Sequence, residues 1–582
     1  MTSFTPPVDD MRFLLTQVLD FDGLIASLPG CEDVSAEFAG EVLSEAARFA
    51  AEKLAPLNLP GDEQGASLSE GKVTTPEGFP QAYRDFVEAG WVGLSGNPEF
   101  GGQGLPRTLQ ILLDEMVSGA NVSFGLFPGL TSGAAEALEH HGSEELKAQW
   151  LTGLVTGETC GAMALTEANA GTDLGLLRAR AEPVGDGSYK VTGTKIFISS
   201  GDQDFGNNIV HLVLARLPDA PAGVKGISMF LVPKFLPAED GGLGARNTMS
   251  VGALEHKMGI HAQPTCVMNY DEAIGWLVGE PGRGLNAMFT MMNNERLFVG
   301  IQGLGIAEAA HQKAATYARE RLQGRSSDNT RAPVPIIEHA DVRKMLLEGR
   351  AFLDAGRALA VWTAMQMDIA ARHPDPEVRS QANGMVLLMT PVIKAAFTDM
   401  GFETAVKAQQ VFGGHGYIHE WGMEQFVRDA RITQIYEGTN GVQAMDLVGR
   451  KLPMENGDLM ARFLTLVESD LAAADGSPFA AQLTEALVPL RRITQALVAQ
   501  KGDVEALGAA ATDTLRLVAL VSLGWMWVRM VTACEGEDSA LARKKRAVAG
   551  YFFARVLPQV HALAAQVEAG PETIMGMDAE LF

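Results

Sequence analysis

Apolar positions in the first 158 residues recur at spacings of three and four, the period of an α-helix with one buried face. Phe38, Val42, Ala46, Phe49, Ala50 and Leu54 form the clearest stripe, with Ser35 before it as a candidate N-cap. Pro60-Gly61-Asp62-Glu63-Gln64-Gly65 reads as a break and Phe100-Gly101-Gly102-Gln103-Gly104 as a turn, with helical patterning resuming between them from Gln81 to Phe86. From residue 159 to 280 the period changes. Three runs, from Tyr189 to Ile198, Ile209 to Leu214 and Ile227 to Val232, are β-branched and apolar, and turns such as Gly185-Asp186-Gly187 part them. A long helical pattern then starts near Leu285 and dominates to residue 452, with a polar loop expected from Arg325 to Pro333. Gly300, Gly303 and Gly305 lie inside this helical pattern and no strand leads into them, so they read as helix-packing positions and not as a dinucleotide fingerprint. Beyond Pro453 the chain turns Ala- and Leu-rich, with helices expected at 458–474, 481–500, 504–533 and 538–568.

The pattern therefore predicts a mainly α protein with a central β-domain. Its four segments are an N-terminal helical domain (1–158), a middle β-domain (159–280), a helical bundle (281–452) and an extra helical C-terminal domain (453–582).

Composition narrows the function. Hydrophobic residues make up 47% and charged residues 20% of 582 positions, as in a globular protein. With 46 basic and 71 acidic residues the net charge is -25, the wrong sign for nucleic acid or an anionic membrane surface. The last segment, 456–582, carries 15 acids and 11 bases, and its run Arg543-Lys544-Lys545-Arg546 reads as a solvated helix face. Four dispersed cysteines without a CxxC spacing suit a reducing cytoplasm. The first residues lack the basic and apolar regions of a signal peptide, and no uninterrupted apolar run approaches the roughly 18 residues of a membrane span. No metal is expected. His140 and His141 are adjacent, so they face different sides of a helix, and His415 and His419 lack a third ligand.

Three stretches carry chemistry. The first is Arg428-Asp429-Ala430-Arg431-Ile432-Thr433-Gln434-Ile435-Tyr436-Glu437-Gly438-Thr439-Asn440-Gly441. Glu437 follows two apolar side chains that would wall it in and precedes a glycine that allows a sharp bend. Burial would raise its proton affinity, as a poised base requires; an N-cap or a solvated loop acid fits the same residues. The second is Met163-Ala164-Leu165-Thr166-Glu167-Ala168-Asn169-Ala170-Gly171-Thr172-Asp173, and the third is Lys195-Ile196-Phe197-Ile198-Ser199-Ser200-Gly201, at the edge of the β-rich region.

In order and spacing these strings resemble the acyl-CoA dehydrogenase family, over roughly residues 35–455. The first matches that family's R-D-A-x-I-x-x-I-Y-E-G-T, the second its T-E-P-x-A-G-S-D with Ala168 for Pro and Thr172 for Ser, and the third its K-x-W-I-T-N-G with Phe197 for Trp. The resemblance implies a helical N-domain, a β-barrel-like middle domain and a four-helix-bundle C-domain, to which this chain adds its last segment. It implies FAD as cofactor and α,β-dehydrogenation of an acyl-CoA, with an electron-transfer flavoprotein as acceptor and a homodimer or homotetramer as the assembly. By resemblance Glu437 is the base. Met163, Leu165, Thr166, Thr172, Phe197, Ser199 and Thr439 meet the flavin, while Arg321, Gln410, Gly413 and Gly414 hold the FAD of a neighbouring subunit. Thr172, Asn293, Arg296 and Gly438 meet the substrate. In some branches the base instead precedes the arginine equivalent to Arg296; that position is Glu295, so two carboxylates compete and the fuller match favours Glu437. The extra C-terminal segment points to a long bacterial branch that acts on sulfur-containing or fatty acyl thioesters. Met288, Met291 and Met292 suit either chain and suit core filling better. An acyl-CoA oxidase and a DNA-binding flavoprotein of the same fold are the competing readings, and the -4 charge of the last segment opposes the second.

Overall fold

In a computed structural model, residues 4–325, 333–474 and 476–582 are described, and most of the expected polar loop, 326–332, lies outside them. In chain order come α1 (Val8–Phe13), α2 (Phe21–Ile25), α3 (Ala36–Phe49), α4 (Ala55–Gln64), a hairpin of β1 (Ser67–Ser69) and β2 (Lys72–Thr74), α5 (Phe79–Glu88), α6 (Arg107–His141) and α7 (Glu144–Thr156). The strands β3 (Thr159–Ala164), β4 (Arg180–Pro183), β5 (Ser188–Ser199), β6 (Asn208–Arg216), β7 (Ile227–Pro233), β8 (Phe235–Pro237), β9 (Leu243–Arg246), β10 (Met249–Leu254) and β11 (Thr265–Val278) follow. Helices α8 (Gly284–Glu320), α9 (Ala340–Arg372), α10 (Pro376–Val411), α11 (Met423–Thr433) and α12 (Asn440–Asp446) come next, with a short hairpin of β12 (Leu322–Arg325) and β13 (Pro333–Pro335) before α9. The last segment adds α13 (Asp458–Ala473), α14 (Pro478–Ala499), α15 (Val504–Ala533), α16 (Ala540–Tyr551), α17 (Gln559–Glu568) and the single turn α18 (Glu572–Met575).

The chain folds into two compact units: one comprises 1–51, 106–119 and 299–582, the other 52–105 and 120–298. In the second unit five strands close a ring, β11-β5-β4-β6-β7 and back to β11, with β10 added beside β11 and β3 beside β6. This is the barrel-like middle domain. Most pairings are antiparallel, but β6 runs parallel to both β3, with Met163 opposite Leu212, and β4, with Arg180 opposite Arg216. Behind the ring Leu130, Leu138, Leu151, Leu154, Leu212 and Leu231 build a core that Met288 and Met291 complete, so these two methionines fill core volume.

In the first unit, α8, α9 and α10 pack closely enough to need glycine. A Cβ on Gly303 would lie 2.8 Å from the Phe397 carbonyl, and one on Gly401 would lie 2.4 Å from the Gly303 carbonyl. α10 and α15 are long and apolar enough to cross a membrane by length and composition, yet 78% and 67% of their apolar windows are buried in the folded chain.

Several local expectations need correction. Ser35 caps α3, accepting from the Phe38 amide at 3.1 Å, and Ala46, Ala50 and Leu54 of the expected stripe are buried, but Phe38 is exposed and the rest of the buried face is Ala36, Ala39, Gly40 and Leu43. Small side chains set that face because Arg12 lies on it, with its Nε 2.8 Å from where a Gly40 Cβ would be. Pro60 does not break the chain; it sits within α4, which stops at Gly65, where φ is 66°. The Arg543–Arg546 run is not simply a solvated face. Lys545 is 1% exposed and is ion-paired with Asp354 at 2.9 Å and Asp10 at 3.2 Å.

Candidate active site

The Glu437 loop is fastened at both ends. α11 runs to Thr433, and Thr439 starts α12 by accepting from the Val442 amide at 3.4 Å, so this hydroxyl serves the helix end. Next to it the Asn440 amide donates to Thr398 Oγ1 at 2.9 Å and Asp399 Oδ1 at 2.7 Å, while its oxygen accepts from Lys394 at 2.9 Å. Asp399 also accepts from Gln434 at 2.6 Å, so both flanks of the loop are bolted to α10. Between the bolts, Tyr436 donates its hydroxyl to Gln302 on α8, and the buried Gln443 amide donates to the Glu437 carbonyl at 3.1 Å. Glu437 itself has φ 55° and Gly438 φ 87°. A side chain held left-handed costs about 1 kcal/mol or more, and such strain persists where the surroundings over-determine it. The expected apolar wall is only half present, since Ile435 is 45% exposed.

In the other unit, the two β-edge segments meet. The Ile196 amide donates to the Thr166 carbonyl at 2.9 Å, joining the Met163–Thr166 stretch to β5. β5 and β11 pair Cys266 with Ile198 but Met268 with Lys195, so Ile196 and Phe197 together oppose Val267. This is a β-bulge, and Phe197 within it has φ 61° and is 59% exposed. An aromatic side chain in a left-handed conformation and facing outward is doubly unfavourable for folding alone. Leu165 is 9% exposed, Met163, Thr166 and Ser199 are partly exposed, and Thr172 stands on the exposed loop just beyond.

Other expected residues fall into two further groups. On α8, Arg296 donates to Asn293 at 3.3 Å and lies over the Phe289 ring at 5.8 Å. Glu295 beside them is 3% exposed, with Oε1 2.9 Å from where a Gly133 Cβ would be. The last turn of α10 carries Gln410, and Gly413 and Gly414 follow it, all three exposed. Exposed Arg321, at the end of α8, is hydrogen-bonded through its amide to the Tyr317 carbonyl at 2.8 Å. Tyr317, one turn before Arg321, stacks on Phe412 at 4.0 Å and shares a 2.8 Å hydrogen bond with His415, on either side of the glycine pair in sequence. His415 stacks on Trp421 at 4.6 Å and His419 pairs with Glu424 at 2.6 Å, so the two histidines serve different contacts.

Sequence reading missed the residues that hold these parts: Lys394, Asp399, Asn440 and Gln443 around the loop, and Glu167 with Lys195 behind the bulge. Asn440, Glu167 and Lys195 stand inside the quoted strings, but the partner of a buried polar group far along the chain has no local signature.

Four stretches match family profiles: residues 39–158 "Acyl-CoA dehydrogenase, N-terminal domain", 162–273 "Acyl-CoA dehydrogenase, middle domain", 282–452 "Acyl-CoA dehydrogenase, C-terminal domain" and 463–578 "Acetyl-CoA dehydrogenase C-terminal like". The 3-methylmercaptopropionyl-CoA dehydrogenase of Ruegeria pomeroyi is 42% identical over 96% of this chain and 97% of its own length. A butyryl-CoA dehydrogenase of Syntrophomonas wolfei is 32% identical over 98% of each chain. Among solved structures, an acyl-CoA dehydrogenase from Bacillus anthracis complexed with FAD aligns with a TM-score of 0.74 over 93% of this chain and 90% of its own, at 22% identity, a likeness of fold.

Proposed function

The chain belongs to the acyl-CoA dehydrogenase family and is an FAD-dependent acyl-CoA dehydrogenase, and from that premise we propose Glu437 as its base and a short linear acyl-CoA as its substrate. The observation that carries the assignment of the base is the left-handed backbone of Glu437, bolted on both flanks to α10. Exposed acids such as Glu70 and Asp219 also take positive φ in ordinary turns, so what sets Glu437 apart is that conformation together with the side-chain hydrogen bonds that fix both flanks of its loop.

The α-proton of a thioester is a very weak acid, so the base must be held against it while charge gathers on the carbonyl oxygen. Glu437 takes that proton. FAD supplies, when bound, the acceptor for hydride from the β-carbon. The residues of the bulge fit such a group: Phe197 offers a flat, exposed aromatic face, and Thr166 and Ser199 bring hydroxyls to the same strand pair. Met163, Leu165 and Thr172 complete that side in this reading, and Gly438 and Thr439 border the base. Arg296 and Asn293 hold the thioester end. Arg321, Gln410, Gly413 and Gly414 bind the FAD of a second subunit, in a homodimer or homotetramer. Glu295, buried beside Gly133, is not the base in this proposal.

The reading extends to the four-segment division at 158, 280 and 452, a cytoplasmic location, and reoxidation by an electron-transfer flavoprotein. Two relatives' names support a short acyl group, butyryl being short and linear and 3-methylmercaptopropionyl a similar chain with one thioether sulfur, while a third full-length relative is named for broad specificity on linear chains. We therefore place 3-methylmercaptopropionyl-CoA first among candidate substrates. The test is anaerobic reduction of the purified holoenzyme by a panel of thioesters. The flavin band should bleach fastest with 3-methylmercaptopropionyl- and butyryl-CoA; fastest bleaching by a long-chain or branched thioester would reject the substrate assignment.

A further inference from the structure

We propose that the buried Lys195–Glu167 ion pair is the positioning device that pins the bulge and aims Phe197 at the flavin, an inference that rests on the flavin assignment above. In an unbroken strand, residues 195 and 197 would face the same side and 198 the other. Here Lys195 and Ile198 both face inward, at 0% and 2% exposed, while Phe197 is 59% exposed. The one extra residue of the bulge makes this arrangement possible, and a slip that removed it would reverse the pattern.

An inward lysine needs a reason to stay. Its Nζ donates to Glu167 Oε1 and to the Leu165 carbonyl, both at 2.9 Å. The Glu167 carboxylate is fixed from its other side, accepting from the Arg178 amide at 2.7 Å and the Ala179 amide at 2.9 Å. Burial opposes the charge on Glu167, but Lys195 and these two amides overcome it and hold the carboxyl below its usual range. The pair thus ties the stretch carrying Leu165 and Thr166 to the stretch carrying Phe197, in the register that turns the ring outward. Neither Lys195 nor Glu167 is exposed enough to touch a ligand on that face, so each acts through its neighbours.

Two variants separate positioning from simple stability. Glu167→Gln leaves a buried ammonium without its anion and should lower both the melting temperature and FAD affinity. The double variant Lys195→Met/Glu167→Gln removes both charges, keeps an amide oxygen for the Arg178 and Ala179 amides, and should recover most of the stability, since it leaves no buried charge unpaired. Its FAD dissociation constant should still rise about tenfold, with a changed visible flavin band, because the register is no longer pinned. A double variant that regains stability and also binds FAD with the wild-type constant and spectrum overturns the proposal. Should neither variant fold, hydrogen exchange on the flavin-stripped wild type decides. The Ile196, Arg178 and Ala179 amides must already be protected; protection that appears only on adding FAD overturns it. Failure of the wild type itself to take up FAD would instead reject the flavin assignment, so the two failures are distinguishable.

Discussion

Phe197 and Glu437 carry the same signature by different means: each is a non-glycine residue at positive φ, one within a bulge and one before a glycine. Turn residues such as Glu70 and Asp219 share it, but Phe197 combines it with a bulge and an exposed aromatic ring, and Glu437 with a loop fastened on both flanks. Phe197→Gly should therefore stabilise the flavin-free protein by ~1 kcal/mol, because glycine accepts φ near 60° without penalty. The same change should weaken FAD binding, since the exposed ring is lost. Thermal melts of apo- and holoprotein read both effects, and a destabilised apoprotein would contradict the account. Glu437, Phe197 and the residues around them were legible as a resemblance of strings. Their conformations were not, because strain depends on what surrounds a residue and not on its own type.

At the scale of elements, local signals read well and paired ones did not. Ser35, the β-runs and the helices from 458 to 568 could be seen because capping, alternation and period are properties of neighbouring residues. The bulge was invisible because β11 sets it, far along the chain. The Arg543–Arg546 run misled for a similar reason: its inward members meet acids from distant helices. Lys545 joins Asp10 and Asp354, and Asp354 in turn meets Arg350, which with Arg357 engages Glu308, while Arg357 also grips Glu115 at 2.6 Å. Burial alone would raise the Asp354 pKa, but Lys545, Arg350 and Lys544 outweigh it and hold it below the usual carboxylate range. This network joins the extra C-terminal segment to the bundle and to α1. Lys545→Met should cost about 3 kcal/mol, the penalty of leaving a buried acid short of its cation. Urea titration checks it, and a loss under about 1 kcal/mol would mean that the remaining cations suffice.

At the scale of the whole molecule, each compact unit contains a buried histidine kept neutral. Burial pushes His211, bonded to the Tyr270 hydroxyl at 2.7 Å, down to about 4. His311 is also pushed down to about 4, first by burial and then by Arg350, which donates to its Nδ1 at 2.9 Å while its Nε2 meets the Leu346 carbonyl. Both values lie below the unfolded value of about 6.5, so their contribution is fully present above that pH and is lost as pH falls towards 4. Below about 6.5 these two groups pull stability down, by at most on the order of 3 kcal/mol per histidine, while Asp114, pushed up to about 7 by burial, pulls it the other way as it takes up a proton. Urea midpoints of wild type and His311→Gln across this range check it: the variant should lose less stability than the wild type between about pH 6.5 and 4, and equal losses would contradict it. The order of helical and β-rich segments was readable from the chain, whereas its division into two compact units was not, because each unit gathers pieces separated in sequence.

The most direct test of the account is anaerobic reduction of the holoenzyme by 3-methylmercaptopropionyl- or butyryl-CoA, comparing Glu437→Gln with Glu295→Gln. Glu437→Gln should keep its yellow flavin band unbleached while retaining bound FAD, and Glu295→Gln should still bleach. Bleaching by Glu437→Gln, with its loss in Glu295→Gln instead, would contradict the assignment of the base.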